Sequence, residues 1–251
     1  MAVCERCGDQ TAMSPQIVHS AVLAVALLAV GCANTPPAPN WEGSAFSALN
    51  SFSTAYLEGN SRVADFEFQR AQGEVARTGR PDLMARLALV RCAAQVASLE
   101  FGGCAAYAER ALDARPAEQN YALFLAGQWD DVQTDQLPET YRDWARQVRA
   151  AAQHPAPPGT VTPTHPAQVS TLAQIKEPQS RLIAAGILLK SELIVPVDIV
   201  LAAETASSQG WRRPLLAWLG VLRQRAQAAG DAKAAAQLQR RIDLVLQNPA
   251  R

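Results

Sequence analysis

Two histidines, His154 and His165, are the candidate general bases in the body of the chain. Hydrolases built on the common triads need a histidine that is held rigidly beside the nucleophile. Both histidines lie in the stretch 153–169, which contains five prolines and no Asp, Glu, Lys or Arg. This composition is typical of an extended loop or linker. We therefore predict that the protein is not an enzyme and has no catalytic residue.

Candidate metal ligands are also scarce. Zinc needs clustered cysteine, histidine or carboxylate ligands, and neither histidine has such neighbours in the sequence. The acidic group Asp130-Asp131-x3-Asp135 lacks the glycine and closing glutamate of a calcium-binding loop, so it fits a solvated loop better. No glycine-rich phosphate loop of recognised spacing is present. The sequence predicts no metal, no cofactor and no identifiable small-molecule substrate.

Charge argues against nucleic acid as a partner. The 23 basic and 23 acidic residues cancel, so no global field attracts a polyanion. The most basic region could still contact anionic lipid head groups or an acidic partner, although such arginines more often simply solvate helix faces. It consists of Trp211-Arg212-Arg213 with Arg223, Arg225, Arg240 and Arg241.

An uninterrupted apolar run occupies residues 21–30. Ten helical residues rise about 15 Å, roughly half of a bilayer core. The run is therefore too short to span a membrane, but it has the length of the hydrophobic region of a signal peptide.

The run ends in Ala29-Val30-Gly31-Cys32 and is followed by a proline-rich, uncharged stretch. This pattern resembles the lipobox of bacterial lipoproteins, although leucine is preferred where Ala29 stands. The resemblance implies that residues 1–31 are a signal peptide, that Cys32 is diacylated on sulfur, and that 32–40 is a lipidated tether. Two or more acyl chains anchor a protein stably. Because Ala33 rather than aspartate follows the cysteine, the resemblance favours the periplasmic face of the outer membrane.

Charges before the apolar run fit a signal peptide poorly. Glu5, Arg6 and Asp9 occupy the segment where a basic region is expected. A start at Met13 would remove all three. The motif Cys4-x-x-Cys7, which invites a redox or metal interpretation, would then lie outside the mature protein.

Cys92 and Cys104 are the two cysteines that follow Cys32. An exported protein matures where disulfides form, so the lipoprotein resemblance favours a bridge between them. A helix that continues to a turn at Gly102 would separate them by about 12 Å along its axis, beyond the roughly 7 Å limit between the α-carbons. An earlier helix end closes this gap. The sequence is therefore compatible both with a disulfide between the two cysteines and with two buried thiols.

After residue 40 the apolar residues recur with a helical period, and no convincing strand is present. We predict an all-α fold of helical hairpins, either an array or a bundle, with an N-terminal helical region at 41–152, a proline-rich linker or loop at 153–178, and a C-terminal helical region at 179–251. Pro81, Pro196 and Pro214 are expected in first helical turns. Gly79, Gly210 and Gly230 are expected to end helices.

Two segments resemble tetratricopeptide repeats. One is Cys104-x3-Ala108-x2-Ala111-Leu112-x3-Pro116, which implies a helix from Cys104 to Ala114, and the other runs from Leu216 to Pro249. The first-helix pattern of such repeats is poorly met, and an alanine-rich bundle explains both segments equally well. A repeat array would imply an adaptor with a concave binding surface.

The sequence leads to three functional hypotheses. The first is a membrane-anchored envelope lipoprotein whose helical body binds or scaffolds other envelope proteins. The second is a cell-wall enzyme or glycan-binding domain that uses carboxylates alone. The third is a structural spacer.

Overall fold

The computed structural model describes residues 40–153 and 172–247. The predicted signal peptide, Cys32 with its tether up to residue 39, and most of the proline-rich linker lie outside these residues. The described residues form α-helices and short 3-10 turns and contain no strand, so the all-α prediction is confirmed. The helices are α1 Asn40–Glu58, α2 Ser61–Ala76, α3 Pro81–Ala97, α4 Ala105–Ala108, α5 Pro116–Ala126, α6 Glu139–Gln153, α7 Pro178–Lys190, α8 Pro196–Ser208, α9 Arg212–Ala228 and α10 Ala232–Leu246.

The predicted helix boundaries hold where glycine, proline or a capping side chain defines them. Gly79, Gly210 and Gly230 have positive φ angles of 62°, 68° and 73°, which glycine adopts without steric cost. At the start of α10 the Asp231 carboxylate accepts a hydrogen bond from the Ala234 amide at 2.9 Å. This N-cap satisfies one of the free amides of the first turn.

The helix expected from Cys104 to Ala114 does not form. The segment contains the four-residue α4 and a 3-10 turn at Ala111–Asp113. Pro116 disfavours the helical conformation in the residue before it, and Arg115 is extended with ψ 163°. Leu112, which the repeat-like spacing would bury, is 100% exposed. The repeat-like spacing in this segment therefore does not correspond to one continuous helix.

Helices α3 and α7 form the centre of the fold. Helix α3 contacts α1, α2, α5 and α7, while α7 also contacts α5 and α8. Residues 182–188 of α7 are all buried. A Cβ at Gly186 would overlap the backbone carbonyl oxygen of Val96 in α3, so this crossing depends on a residue without a side chain.

The helical regions before and after the linker share one hydrophobic core. Helix α9 contacts α8, α10 and α1, so a C-terminal helix packs against the first helix of the body. In a solenoid each repeat contacts only its neighbours. The contacts of α1 with α9 and of α3 with α7 instead join helices that are distant in sequence, so the hairpins form a body with extensive long-range packing.

Candidate functional site

Of the residues singled out by sequence, the structure brings Cys92 and Cys104 together. They form a disulfide whose α-carbons are 5.2 Å apart, within the usual range. Cys32, His154 and His165 lie outside the described residues.

The earlier helix end explains how the bridge is reached. Helix α3 ends at Ala97, well before the turn at Gly102 considered from the sequence. The chain then reverses through Leu99 and Cys104, whose φ angles are +61° and +54°. A residue with a Cβ rarely adopts this left-handed conformation and does so at a cost. The reversal removes the axial offset that a longer helix would have imposed.

A cavity of about 220 Å³ lies beside the bridge. Its walls come from the end of α3, the reversal after it, and α4 and α5, with one residue from α7. Most wall residues are apolar, and the polar side chains are Glu100, Gln128 and Lys190. The lining residues are Cys92, Val96, Glu100, Phe101, Gly103, Cys104, Tyr107, Ala122, Leu123, Leu125, Ala126, Gln128 and Lys190.

Glu100 is fixed at the cavity by residues distant in sequence. Its carboxylate accepts a hydrogen bond from the Tyr56 hydroxyl at 2.7 Å and another from the Arg213 guanidinium at 3.1 Å. Burial, reinforced by the hydrogen bond to Glu100, raises the pKa of Tyr56 well above its ordinary value. The phenol therefore stays protonated and donates to the carboxylate at neutral pH.

Arg213 connects α9 to the hairpin of α1 and α2. Its guanidinium donates to the Tyr56 carbonyl oxygen and to the Ser61 hydroxyl, both at 2.7 Å. Its central carbon also lies 4.2 Å from the centroid of the Tyr56 ring, a cation–π geometry. Arg213, which the sequence grouped with a basic region, is thus engaged in contacts that hold the fold together.

Lys190 and Phe101 stand at the edge of the cavity. The Lys190 ammonium lies 6.0 Å from the centroid of the Phe101 ring, and the Phe101 side chain is 39% exposed. Among the described residues, the Lys190 ammonium has no hydrogen bond or ion pair. The cavity therefore combines a mostly apolar wall with the Lys190 ammonium, which makes no ion pair, and with the Glu100 carboxylate, which Tyr56 and Arg213 hold.

An aromatic cluster supports α5 behind the cavity. The ring of Phe124 packs against Trp129, Tyr141 and Trp144, at centroid distances between 5.0 and 6.1 Å. The Trp129 indole donates to the Ser191 hydroxyl at 3.0 Å, directly after Lys190. Trp129, Trp144 and Trp218 all lie in the core, since none is more than 9% exposed.

Sequence reasoning did not single out Glu100, Phe101 or Lys190 as parts of one site. Lys190 is one of three lysines in the chain, but its position relative to Phe101 depends on the packing of α3 against α7. Within 40–153 and 172–247, no three potential metal ligands lie together. In the same ranges no helix is long and apolar enough to cross a bilayer.

No protein-family model, curated protein or solved structure matches this chain.

Proposed function

We propose that this protein is an envelope lipoprotein, anchored through Cys32 at the periplasmic face of the outer membrane, whose helical body binds other envelope proteins without catalysing a reaction. The observation that carries the anchor is the apolar run at 21–30 that ends in Gly31-Cys32 and leads into a proline-rich stretch. Such a stretch is a semi-rigid spacer between a bilayer and a folded body.

The cavity beside the disulfide supports the binding role. A cavity of about 150 Å³ accommodates benzene, so a volume of about 220 Å³ accommodates one aromatic or branched aliphatic side chain. Lys190 complements a carboxylate placed next to that side chain. An apolar anchor with a neighbouring acidic group is the partner chemistry that this cavity fits.

Fatty-acid labelling tests the anchor. Cells that produce the full chain are given a labelled fatty acid, and wild type is compared with Cys32→Ala. We expect label in wild type and its loss in the variant. Equal labelling of the two proteins would contradict the anchor.

Site-specific photo-crosslinking tests the binding role. A photoreactive phenylalanine analogue replaces Phe101 in the full chain in cells, and Phe66, which is 63% exposed on α2, serves as the matched control position. We expect discrete crosslinked products from position 101 that disappear with Lys190→Glu and are absent from position 66. Identical products from both positions, or none from position 101, would contradict a binding role for the cavity.

A further inference from the structure

Helix α10 has the most exposed environment among the long helices of the described chain. It has no buried residue, and it packs on α9 through a stripe of half-buried apolar side chains that includes Leu238, Ile242 and Val245. The opposite face of α10 is open to solvent along its whole length.

The open face carries three cations. Lys233, Arg240 and Arg241 are all exposed, and helical geometry places them within an arc of about 100° that also holds Gln237 and Leu244. We refer to these five residues as the cationic stripe. Among the described residues, none of the three cations has a hydrogen bond or an ion pair.

The acidic residues of α10 and its cap do not neutralise the stripe. The Asp231 carboxylate caps the helix. The Asp243 carboxylate accepts a hydrogen bond from the Gln239 side chain at 2.7 Å, outside the arc of the stripe. A solvated helix face usually alternates charges of both signs, and the cationic stripe does not.

An apolar side chain lies within the stripe. Leu244 is 68% exposed and stands one helical turn from both Arg240 and Arg241. Clustered lysines and arginines on a helix are attracted to an anionic lipid surface, and the exposed leucine between them adds an apolar contact with the head-group region.

We propose that the cationic stripe of α10 binds an anionic phospholipid surface. The stripe is a line of charges on the exposed face of a helix, which fits an extended, laterally mobile negative surface better than a single anionic group. Each lysine or arginine near such a surface strengthens binding about fivefold, so three together contribute about 100-fold. The inference goes beyond the proposed function and does not depend on acylation of Cys32.

Amide hydrogen exchange of the full-length protein tests the stripe. The protein is mixed with vesicles of phosphatidylcholine, with or without phosphatidylglycerol, and exchange is followed peptide by peptide. We expect slower exchange in α10 only on the anionic vesicles, with the protection lost at high salt because the Debye length shortens. The lipid concentration for half-maximal protection should rise about 100-fold in Lys233→Gln/Arg240→Gln/Arg241→Gln.

A matched variant distinguishes the effect of losing the cationic stripe from the effect of lowering the net charge. Arg62→Gln/Arg77→Gln/Arg146→Gln removes three cations, from α2, its C-cap and α6, and should keep the protection of α10. Circular dichroism of both triple variants verifies that the helices remain folded. Equal protection on uncharged vesicles, protection confined to another helix, or equal effects of the two triple variants would each overturn the proposal. Protection by polyglutamate but not by anionic vesicles would overturn it as well and would assign the stripe to an acidic protein.

Discussion

Helices α7 and α10 have similar lengths but opposite environments. In α7, residues 182–188 are buried without interruption, because α3, α5 and α8 surround the helix. In α10 no residue is buried, because α9 is its main neighbour. A helix that is apolar all round has no periodic pattern, whereas a helix with one covered face has a clear one. Of these two helices, α10 has the clearer apolar stripe and is the more peripheral.

The same contrast applies to small residues. At Gly186 the backbones of α3 and α7 approach so closely that a Cβ would meet the Val96 carbonyl oxygen. Gly220, in the middle of α9, has open space around the position of a Cβ. Two glycines inside helices thus have different roles, which only their neighbours reveal.

The largest expected difference is between leucine truncations in the two helices. Leu182 in α7 is 0% exposed, and Leu244 in α10 is 68% exposed. Leu182→Ala should lower the free energy of unfolding by about 2–5 kcal/mol, whereas Leu244→Ala should change it by less than about 0.5 kcal/mol. Urea denaturation followed by circular dichroism measures both. Because both changes are leucine to alanine inside a helix, helix propensity is matched, and equal losses would contradict the contrast.

The disulfide at the end of α3 is expected to have the next largest effect. Breaking the bridge frees a loop with a sequence separation of 12 residues and should lower the free energy of unfolding by about 3 kcal/mol. Urea denaturation with and without reductant measures the loss. The double variant Cys92→Ala/Cys104→Ala is the control, since it should not respond to reductant. Complete alkylation of both cysteines in unreduced protein would show that they are thiols.

The two glycines should respond to alanine with opposite signs. Gly186→Ala overpacks the crossing of α3 and α7 and should lower the free energy of unfolding by about 1–3 kcal/mol. Gly220→Ala gains helix propensity in open space and should raise it by up to about 1 kcal/mol. Thermal and urea denaturation of both variants provide the comparison. Stabilisation by Gly186→Ala would mean that the two backbones are farther apart than described.

The smallest expected effect is a pH dependence that belongs to the core around α5 and α6. Burial raises the pKa of Tyr121 to about 12, whereas the unfolded chain titrates near 10. The folded state therefore favours the neutral phenol, and this stability is present below about pH 10 and is lost as the pH rises toward 12.

Tyr121→Phe should make the fall in stability above pH 10 shallower without abolishing it. Burial also raises the pKa values of Tyr56 and Tyr141, so a residual slope remains. Melting temperatures between pH 8 and pH 11, values chosen around the ordinary tyrosine pKa of about 10, measure the slope. The segment from α9 to α10 has no tyrosine, so Arg225→Gln is a suitable control and should leave the slope unchanged. An unaltered slope in Tyr121→Phe would contradict the burial of this phenol.

Part of the fold was predictable because local residues determine it. The starts at Pro81 and Pro196 and the stops at Gly79, Gly210 and Gly230 follow from backbone geometry that acts within a few residues. The segment from Cys104 to Ala114 was predicted wrongly: its apolar spacing is that of a helix, but the segment forms the four-residue α4 and a 3-10 turn.

The candidate site was predictable only in its cysteines. The lipoprotein resemblance suggested Cys92 and Cys104 as partners although their helical spacing argued against a bridge, and the end of α3 at Ala97 made the bridge possible. Glu100 and Lys190 join the cavity because Arg213 crosses from α9 and because α7 packs on α3. Such contacts depend on residues more than eighty positions apart, which no local pattern specifies.

The sequence by itself determined the all-α class, most helix boundaries and the lipobox-like segment, because periodicity, caps and short motifs depend on neighbouring residues. The tertiary structure alone decided which helix is central and which is peripheral. It also decided that Arg213 holds the fold together while Arg240 and Arg241 face solvent. The physical reason is that the helical spacing of apolar residues indicates only that one face of a helix is covered. How deeply the helix is buried and which charges pair depend on every helix that packs nearby.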